Sequence, residues 1–253
     1  MAYETIEFEI RAHVAIITLN REEAANALNV QMADEFMDAA IRCDTEKSVR
    51  AVLITASGKM FCAGGDLKVF SEAGNEVGVL AKKITTSLHA SVSRFARMAP
   101  PLVVAVNGTV AGGGLSLVLV ADMVLAARSA KFTLAYTRAG LVPDGSSTYF
   151  LPRLVGLRRA KELIFTNRVL NAEEALDWQL INQVLDDELL QDEALKLAKS
   201  LADGPLATHG IVKHLLAESF SNHLESQMEA ESRGCLLYTS PSPRDQRGSR
   251  MPS

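Results

Sequence analysis

Apolar and polar positions alternate from Thr5 to Ile10 and again from His13 to Leu19, which predicts two strands joined tightly at Arg11-Ala12. From Asn29 to about Glu46 the period changes. Met32, Phe36, Ala40 and Ile41 recur at helical spacing behind Asn29, a residue suited to cap a helix start. Ala51–Ala56 (AVLITA) is continuously apolar, as expected of a strand buried on both faces. A glycine-bearing turn follows, then a helical pattern from about Val77 to Met98 that Pro100-Pro101 ends.

Leu102–Val106 reads as another buried strand, followed by a second glycine turn and a helix over about Gly113–Ala121. Met123–Ala127 and Lys131–Leu134 are again strand-like. Beyond Pro143 the pattern is helical: Ser147–Leu154, Arg158–Thr166, Ala172–Trp178, Glu188–Ala202 and Leu206–Phe220. Alternating strands and helices followed by helices alone predict an α/β core, residues 1–185, with a C-terminal helical subdomain over 186–234.

Length and charge narrow this picture. With 253 residues, 48% of them hydrophobic, the chain can bury a large core without metals or disulfides. A net charge of −4, with no cluster of Lys and Arg in the body, argues against nucleic acid as a partner. The three cysteines, Cys43, Cys62 and Cys235, are odd in number and far apart, which fits reduced thiols rather than a disulfide framework. The N-terminus lacks a basic region followed by an apolar run, and the most apolar stretch, Leu115–Ala127, is short and carries Asp122. A soluble cytoplasmic protein with no membrane partner is expected. From about Cys235 the chain turns into a Ser-, Pro- and Arg-rich segment without apolar periodicity, and 235–253 reads as a non-native tail after a truncated helical part.

Two glycine-rich segments carry the candidate chemistry. Met60-Phe61-Cys62-Ala63-Gly64-Gly65-Asp66-Leu67 follows one buried strand. Asn107-Gly108-Thr109-Val110-Ala111-Gly112-Gly113-Gly114 follows another and opens a helix. Glycines let the backbone turn sharply and approach a ligand closely, and N–H groups at a helix start favour an oxygen that gains negative charge. Two such turns facing each other would form an oxyanion hole from main chain alone; tight packing is the other reading of each. The nucleotide-binding spacings G-x-G-x-x-G and G-x(4)-G-K-[ST] are both absent.

FCAGGDL, AVNGTVAGGGLSL and ADMVLAA together resemble the enoyl-CoA hydratase/isomerase (crotonase) family. The opening LNREEAANALN is similar to that family's N-terminal signature, with Glu22 and Ala25 in place of its usual Pro and Arg/Lys. The resemblance runs from about residue 5 to about 230. It implies a crotonase-type spiral of ββα units, a CoA thioester substrate and a homotrimer or hexamer. It implies no cofactor, coenzyme A being part of the substrate, and no metal. The oxyanion donors implied are the amides of Gly65 and Gly113, with Ala63, Asp66, Leu67, Lys68 and Gly112 shaping the substrate site.

The departures matter as much. The family's hydratases carry two glutamates at the positions held here by Ser116 and Tyr136, so neither supplies a carboxylate for water addition. Both are still expected to line the substrate site, Ser116 as a small helix residue and Tyr136 as a packing residue or a hydrogen-bond donor in the acyl pocket. A carboxylate does stand eight residues beyond Tyr136, at Asp144 in GLVPDGS. There the chain resembles the family's double-bond isomerases, including the dienoyl-CoA and phenylacetate-pathway ring-epoxide types. A lone carboxylate can remove a proton beside the thioester and return it elsewhere. Asp before Gly-Ser also fits a helix N-cap, and both roles stay open.

Other side chains read as bystanders. His209 and His214, five apart on one helix, lack metal-ligand spacing. His13 reads as mid-strand, His89 as a structural residue in mid-helix, and Cys62 as a small buried side chain. Lys68 and Arg21 are candidates for the CoA phosphates, with solvated surface charge the alternative. The expected function is thus an enoyl-CoA isomerase that uses Gly65, Gly113 and Asp144. A hydratase or acyl-CoA hydrolase working through Tyr136 and water is the alternative on the same fold, and a non-catalytic acyl-CoA binder is the third reading.

Overall fold

The computed structural model describes residues 3–239, and two sheets organise them. In chain order the elements are β1 Ile6–Arg11, β2 Val14–Leu19, α1 Val30–Thr45, β3 Ala51–Ala56, β4 Met60–Cys62, α2 Leu67–Glu72, α3 Val77–Arg97, β5 Leu102–Val106, β6 Thr109–Ala111 and α4 Gly113–Leu119. They continue as β7 Met123–Ala127, β8 Lys131–Thr133, α5 Ser147–Val155, α6 Leu157–Thr166, β9 Leu170–Asn171, α7 Ala172–Asp177, β10 Gln183–Leu185, α8 Leu190–Asp203, α9 Leu206–Glu218 and α10 Leu224–Thr239. The larger sheet has the order β1-β2-β3-β5-β7-β10 and the smaller β4-β6-β8-β9. Each turn of the chain adds a long strand to the first sheet and a three-residue strand to the second: β3 then β4, β5 then β6, β7 then β8. Helices follow β4 and β6, which gives the spiral of ββα units that the sequence resemblance implies.

The strand sequences explain the layering. β3 and β5 are buried at every position, and their neighbours pair with them in parallel. Parallel strands covered on both faces need such unbroken apolar runs. β1 pairs antiparallel with β2 at the edge and alternates buried or half-buried with exposed residues. The hairpin sits one residue later than the alternation suggests, because Arg11 pairs with Val14. Ala12 and His13 form the turn with φ of 49° and 64°. Two left-handed central residues match the twist of a tight hairpin, so His13 is a turn residue and not a strand residue.

Helix α1 starts where its sequence indicates. Asn29 Oδ1 accepts the Met32 N–H at 2.8 Å, and Met32, Phe36, Ala39, Ala40 and Cys43 are buried while Ile41 is exposed. The same helix supplies Glu35, a buried carboxylate that accepts N–H groups from Glu4, Thr5 and Ile6 and the Thr5 hydroxyl. These bonds tie the first strand's entry to α1.

The core does not break at residue 185. Helix α8 lies against β3 and β5 with Leu190, Ala194, Ala198 and Ala202 buried. Helix α9 buries none of its residues fully and is pinned by Lys213, whose Nζ meets Asp122 Oδ2 at 2.7 Å and the Phe95 carbonyl at 3.1 Å. Helix α10 continues to Thr239, so the first residues of the segment read as a foreign tail prolong a helix. The rest of that segment, 240–253, lies outside the described residues.

Burial alone would raise the Glu35 carboxyl, but the hydrogen bonds from the Thr5 and Gln31 side chains and the Glu4 and Thr5 amides outweigh it and hold the group below the ordinary glutamate range. A carboxylate with a lowered folded value stabilises the fold above its unfolded value and loses that contribution as pH falls. Glu35→Gln is therefore expected to cost about 1–3 kcal/mol at neutral pH. Melting curves for the two proteins should converge on acidification below the ordinary glutamate range; a constant gap would refute this linkage.

Candidate active site

Pairing in the small sheet sets the site. β4 and β6 run in parallel with Met60 opposite Thr109 and Cys62 opposite Val110, so the glycine turns that follow them emerge side by side. They touch through backbone. A methyl group on Gly64, whose φ is 91°, would stand 3.0 Å from the Ala111 carbonyl oxygen and 3.2 Å from Gly112 Cα. A methyl group on Gly114 would stand 2.5 Å from Cys62 Cβ. Side chains at either place would push the turns apart.

Gly65 forms a bridge with Leu28 in which the carbonyl of Gly64 and the N–H of Asp66 do the bonding. Gly113 is the first residue of α4, where helix geometry offers its N–H no partner. Among the described residues, neither the Gly65 nor the Gly113 N–H has an acceptor. Both glycines line one cavity of about 470 Å³. The helix dipole of α4 adds to the attraction for negative charge at Gly113.

The cavity is mainly apolar. Helix α3 contributes Ala81, Ile84, Thr85 and Leu88, a stripe at helical spacing, and Leu28 and Phe70 close the side near the first turn. Leu67, Leu141 and Val142, all exposed, stand at its rim. Polar groups gather at one end, where Tyr136 and Asp144 face Gly113; a methyl group on Gly113 would lie 3.6 Å from the Tyr136 hydroxyl.

The Asp144 carboxylate is gripped from two sides. Tyr136 Oη donates to Oδ1 at 2.5 Å, and His89 Nε2 stands 3.5 Å from Oδ2. Burial first and the Asp144 charge second push the Tyr136 phenol well above the ordinary tyrosine range, so it stays a hydrogen donor. The Asp144 main chain is fixed as well. Its carbonyl accepts the Ser147 N–H at 3.0 Å and hydroxyl hydrogens from Ser147 at 2.7 Å and Ser116 at 3.1 Å. Gly145, with φ of 57°, leaves the room this needs, since a methyl group there would stand 2.6 Å from Ser116 Oγ.

Several expected site residues fall elsewhere. The Asp144 side chain does not cap α5, whose N-cap is Ser146 and makes no side-chain cap bond. Ser116 is 0% exposed and lies behind the Asp144 loop as a strut, out of reach of the cavity. Asp66 caps α2 through the N–H groups of Lys68 and Val69 and pairs with Arg21 at 2.7 Å. Burial would raise its carboxyl; Arg21 and the amides hold it below the ordinary aspartate range instead. Arg21 is spent on Asp66 and the Ala27 carbonyl, while Lys68 is exposed and does not line the cavity. Ala63, Leu67 and Gly112 do line it, although the Gly112 N–H is already given to the Thr133 carbonyl. His89 is the residue the helical pattern did not single out: periodicity marks the face of α3 but not the loop that packs on it. Among the described residues no cluster of His, Cys, Asp and Glu is arranged to hold a metal, and no helix is long and apolar enough to cross a membrane.

Two unpaired amides and one carboxylate thus border a single, mainly apolar cavity of the ββα spiral. The family model for enoyl-CoA hydratase/isomerase matches residues 9–250, and the chain belongs to that family of acyl-CoA enzymes. It is 36% identical to 1,2-epoxyphenylacetyl-CoA isomerase of Escherichia coli strain K12, over 90% of this chain and 87% of that protein. It is 35% identical to 4-chlorobenzoyl coenzyme A dehalogenase-2 of an Arthrobacter species, over 88% of this chain and 81% of the other. The fold superposes on a crystal structure of an enoyl-CoA hydratase from Polaromonas sp. JS666 with a TM-score of 0.89, at 28% identity and 98% coverage of both chains.

Gly64→Ala tests the contact between the turns. A left-handed alanine pressed on backbone should cost about 1–3 kcal/mol of stability. By separating the turns it should also weaken acyl-CoA binding by about tenfold, roughly 1.4 kcal/mol. Calorimetric titration with an acyl-CoA measures this, and unchanged affinity would show that the turns need not touch.

Proposed function

We propose that this protein is an enoyl-CoA isomerase that moves a double bond, or opens and rearranges a ring epoxide, beside a CoA thioester. The thioester oxygen takes the N–H groups of Gly65 and Gly113. Asp144 removes a proton from the acyl chain, the C–H electron pair passes into the enolate, and the amides hold the negative oxygen. Asp144 then returns a proton to a different carbon. Tyr136 keeps one carboxylate oxygen in place while the other stays available. No cofactor is required beyond the CoA of the substrate.

The observation that carries this reading is the carboxylate count. Asp144 is the one carboxylate lining the cavity among the described residues, and Tyr136 and Ser116 hold the positions where the hydratases it resembles have glutamates. Water addition through paired carboxylates has no second partner here. A hydratase or hydrolase working through Tyr136 would need that hydroxyl to turn to water, but it already donates to Asp144. The isomerase relative at 36% identity supports the same choice. The apolar cavity wall suits an aliphatic or aromatic acyl group. Assembly as a trimer or hexamer belongs to the proposal too, supported by the exposed apolar side chains Leu157, Phe165 and Val169 near the second sheet.

Asp144→Asn keeps the shape and removes the base. It is expected to lower isomerisation of a β,γ-enoyl-CoA by at least about a hundredfold, the lower range for an acid–base group, with acyl-CoA affinity little changed. Full activity in that variant would overturn the assignment. Bleaching of conjugated enoyl absorbance by the unaltered protein would favour hydration, and binding without any turnover would favour the non-catalytic reading.

A further inference from the structure

His89 has no part in the chemistry described so far, yet it touches the carboxylate that does. Its ring reaches from α3 to the loop between Tyr136 and α5. Nε2 lies 3.5 Å from Asp144 Oδ2 and accepts the Gly145 N–H at 3.1 Å. That acceptance leaves the ring hydrogen of the neutral imidazole on Nδ1. The side chain is half exposed, and it borders a second cavity of about 650 Å³ that Gly145 and Ser146 also line. One residue thus links the half-buried Asp144 carboxylate, whose side chain is 29% exposed, to the second cavity and water.

We infer that His89 is the proton outlet of Asp144: a positioning residue that lets the proton held between the two halves of isomerisation exchange with solvent. This rests on the isomerase reading. Tyr136 cannot serve as the outlet. Its hydroxyl is engaged with Oδ1 and its phenol stays protonated. Ser116 cannot either, because it is fully buried and bonded to main chain and Ser147.

The transfers balance without any added reagent. Asp144 takes a proton from the acyl chain and becomes a neutral carboxylic acid. Its Oδ2–H passes that proton to Nε2, which releases the Gly145 N–H and becomes part of an imidazolium. The half-exposed imidazolium turns Nε2–H to water, exchanges that hydrogen for one of the solvent's, turns back and hands the new hydrogen to Oδ2, and the neutral ring accepts Gly145 again. The carboxylic acid delivers this solvent hydrogen to the new carbon. A closed site would instead return the hydrogen it removed.

His89→Gln tests the idea, because a glutamine carbonyl can still accept the Gly145 N–H but cannot relay a proton. A β,γ-enoyl-CoA is turned over in D₂O, and deuterium in the conjugated product is read by mass spectrometry beside the rate and the melting temperature. The unaltered enzyme should place solvent deuterium in its product, and His89→Gln should remain folded, turn over, and lose most of that label. His89→Asn, a second variant in case the first is unstable, should show the same fall. Equal labelling in the unaltered enzyme and either variant would overturn the outlet while leaving the isomerase reading intact. A folded variant without turnover would also overturn it, since His89 would then do more than exchange a proton. Absence of isomerisation by the unaltered enzyme, or full activity of Asp144→Asn, would remove the isomerase reading and the outlet together.

Discussion

The parallel pairing of β4 with β6 is the contact on which the site depends. Each strand has only three residues, and each ends in a glycine turn. Because the strands lie side by side, the turns must also, and packing between Gly64 and Gly112 admits no side chain. The long, wholly buried strands β3 and β5 back this pair, with β3 packed against β4. A buried sheet of the first kind thus positions a small sheet of the second kind, and the candidate site lies on the latter's loops, as rigid scaffolds commonly arrange it.

The same logic fixes the carboxylate. Asp144 is on a loop, but its main chain is bonded to Ser116 and Ser147 and its side chain to Tyr136. Ser116 occupies a helix that begins at Gly113, so one short helix presents an amide to the cavity and anchors the loop that carries Asp144. The small Ser116 leaves room for the loop, and Gly145 could not carry a side chain against it. Ser116 and Tyr136, which stand where the resemblance implies glutamates in the family's hydratases, are both bonded to Asp144.

Much of this was legible in the sequence because the signals were local. Unbroken apolar runs marked β3 and β5, Asn29 marked the start of α1, and the two glycine segments marked the turns. What escaped was set by tertiary packing. β4 and β6 are too short to show a period, and α2 follows a glycine turn without an apolar stripe of its own. Asp66 and Arg21 have residue types that suit phosphate or acid chemistry, yet they neutralise each other at 2.7 Å. Asp144 fitted a cap by spacing, and only the fold reveals that its side chain turns away from α5 toward Tyr136. His89 lies one residue from Leu88 on α3, and nothing in a helical pattern indicates that a loop 56 residues on will meet it.

The central claim is that the free amides of Gly65 and Gly113 receive the thioester oxygen. Infrared difference spectra of an acyl-CoA carrying ¹³C at the thioester carbonyl measure that contact directly. Two N–H donors should weaken the carbonyl bond and move its stretch to lower frequency on binding, with part of the shift lost when Gly113 is replaced by proline, which has no N–H. A bound thioester whose carbonyl absorbs as it does in water or higher, with tight binding retained, would contradict the account.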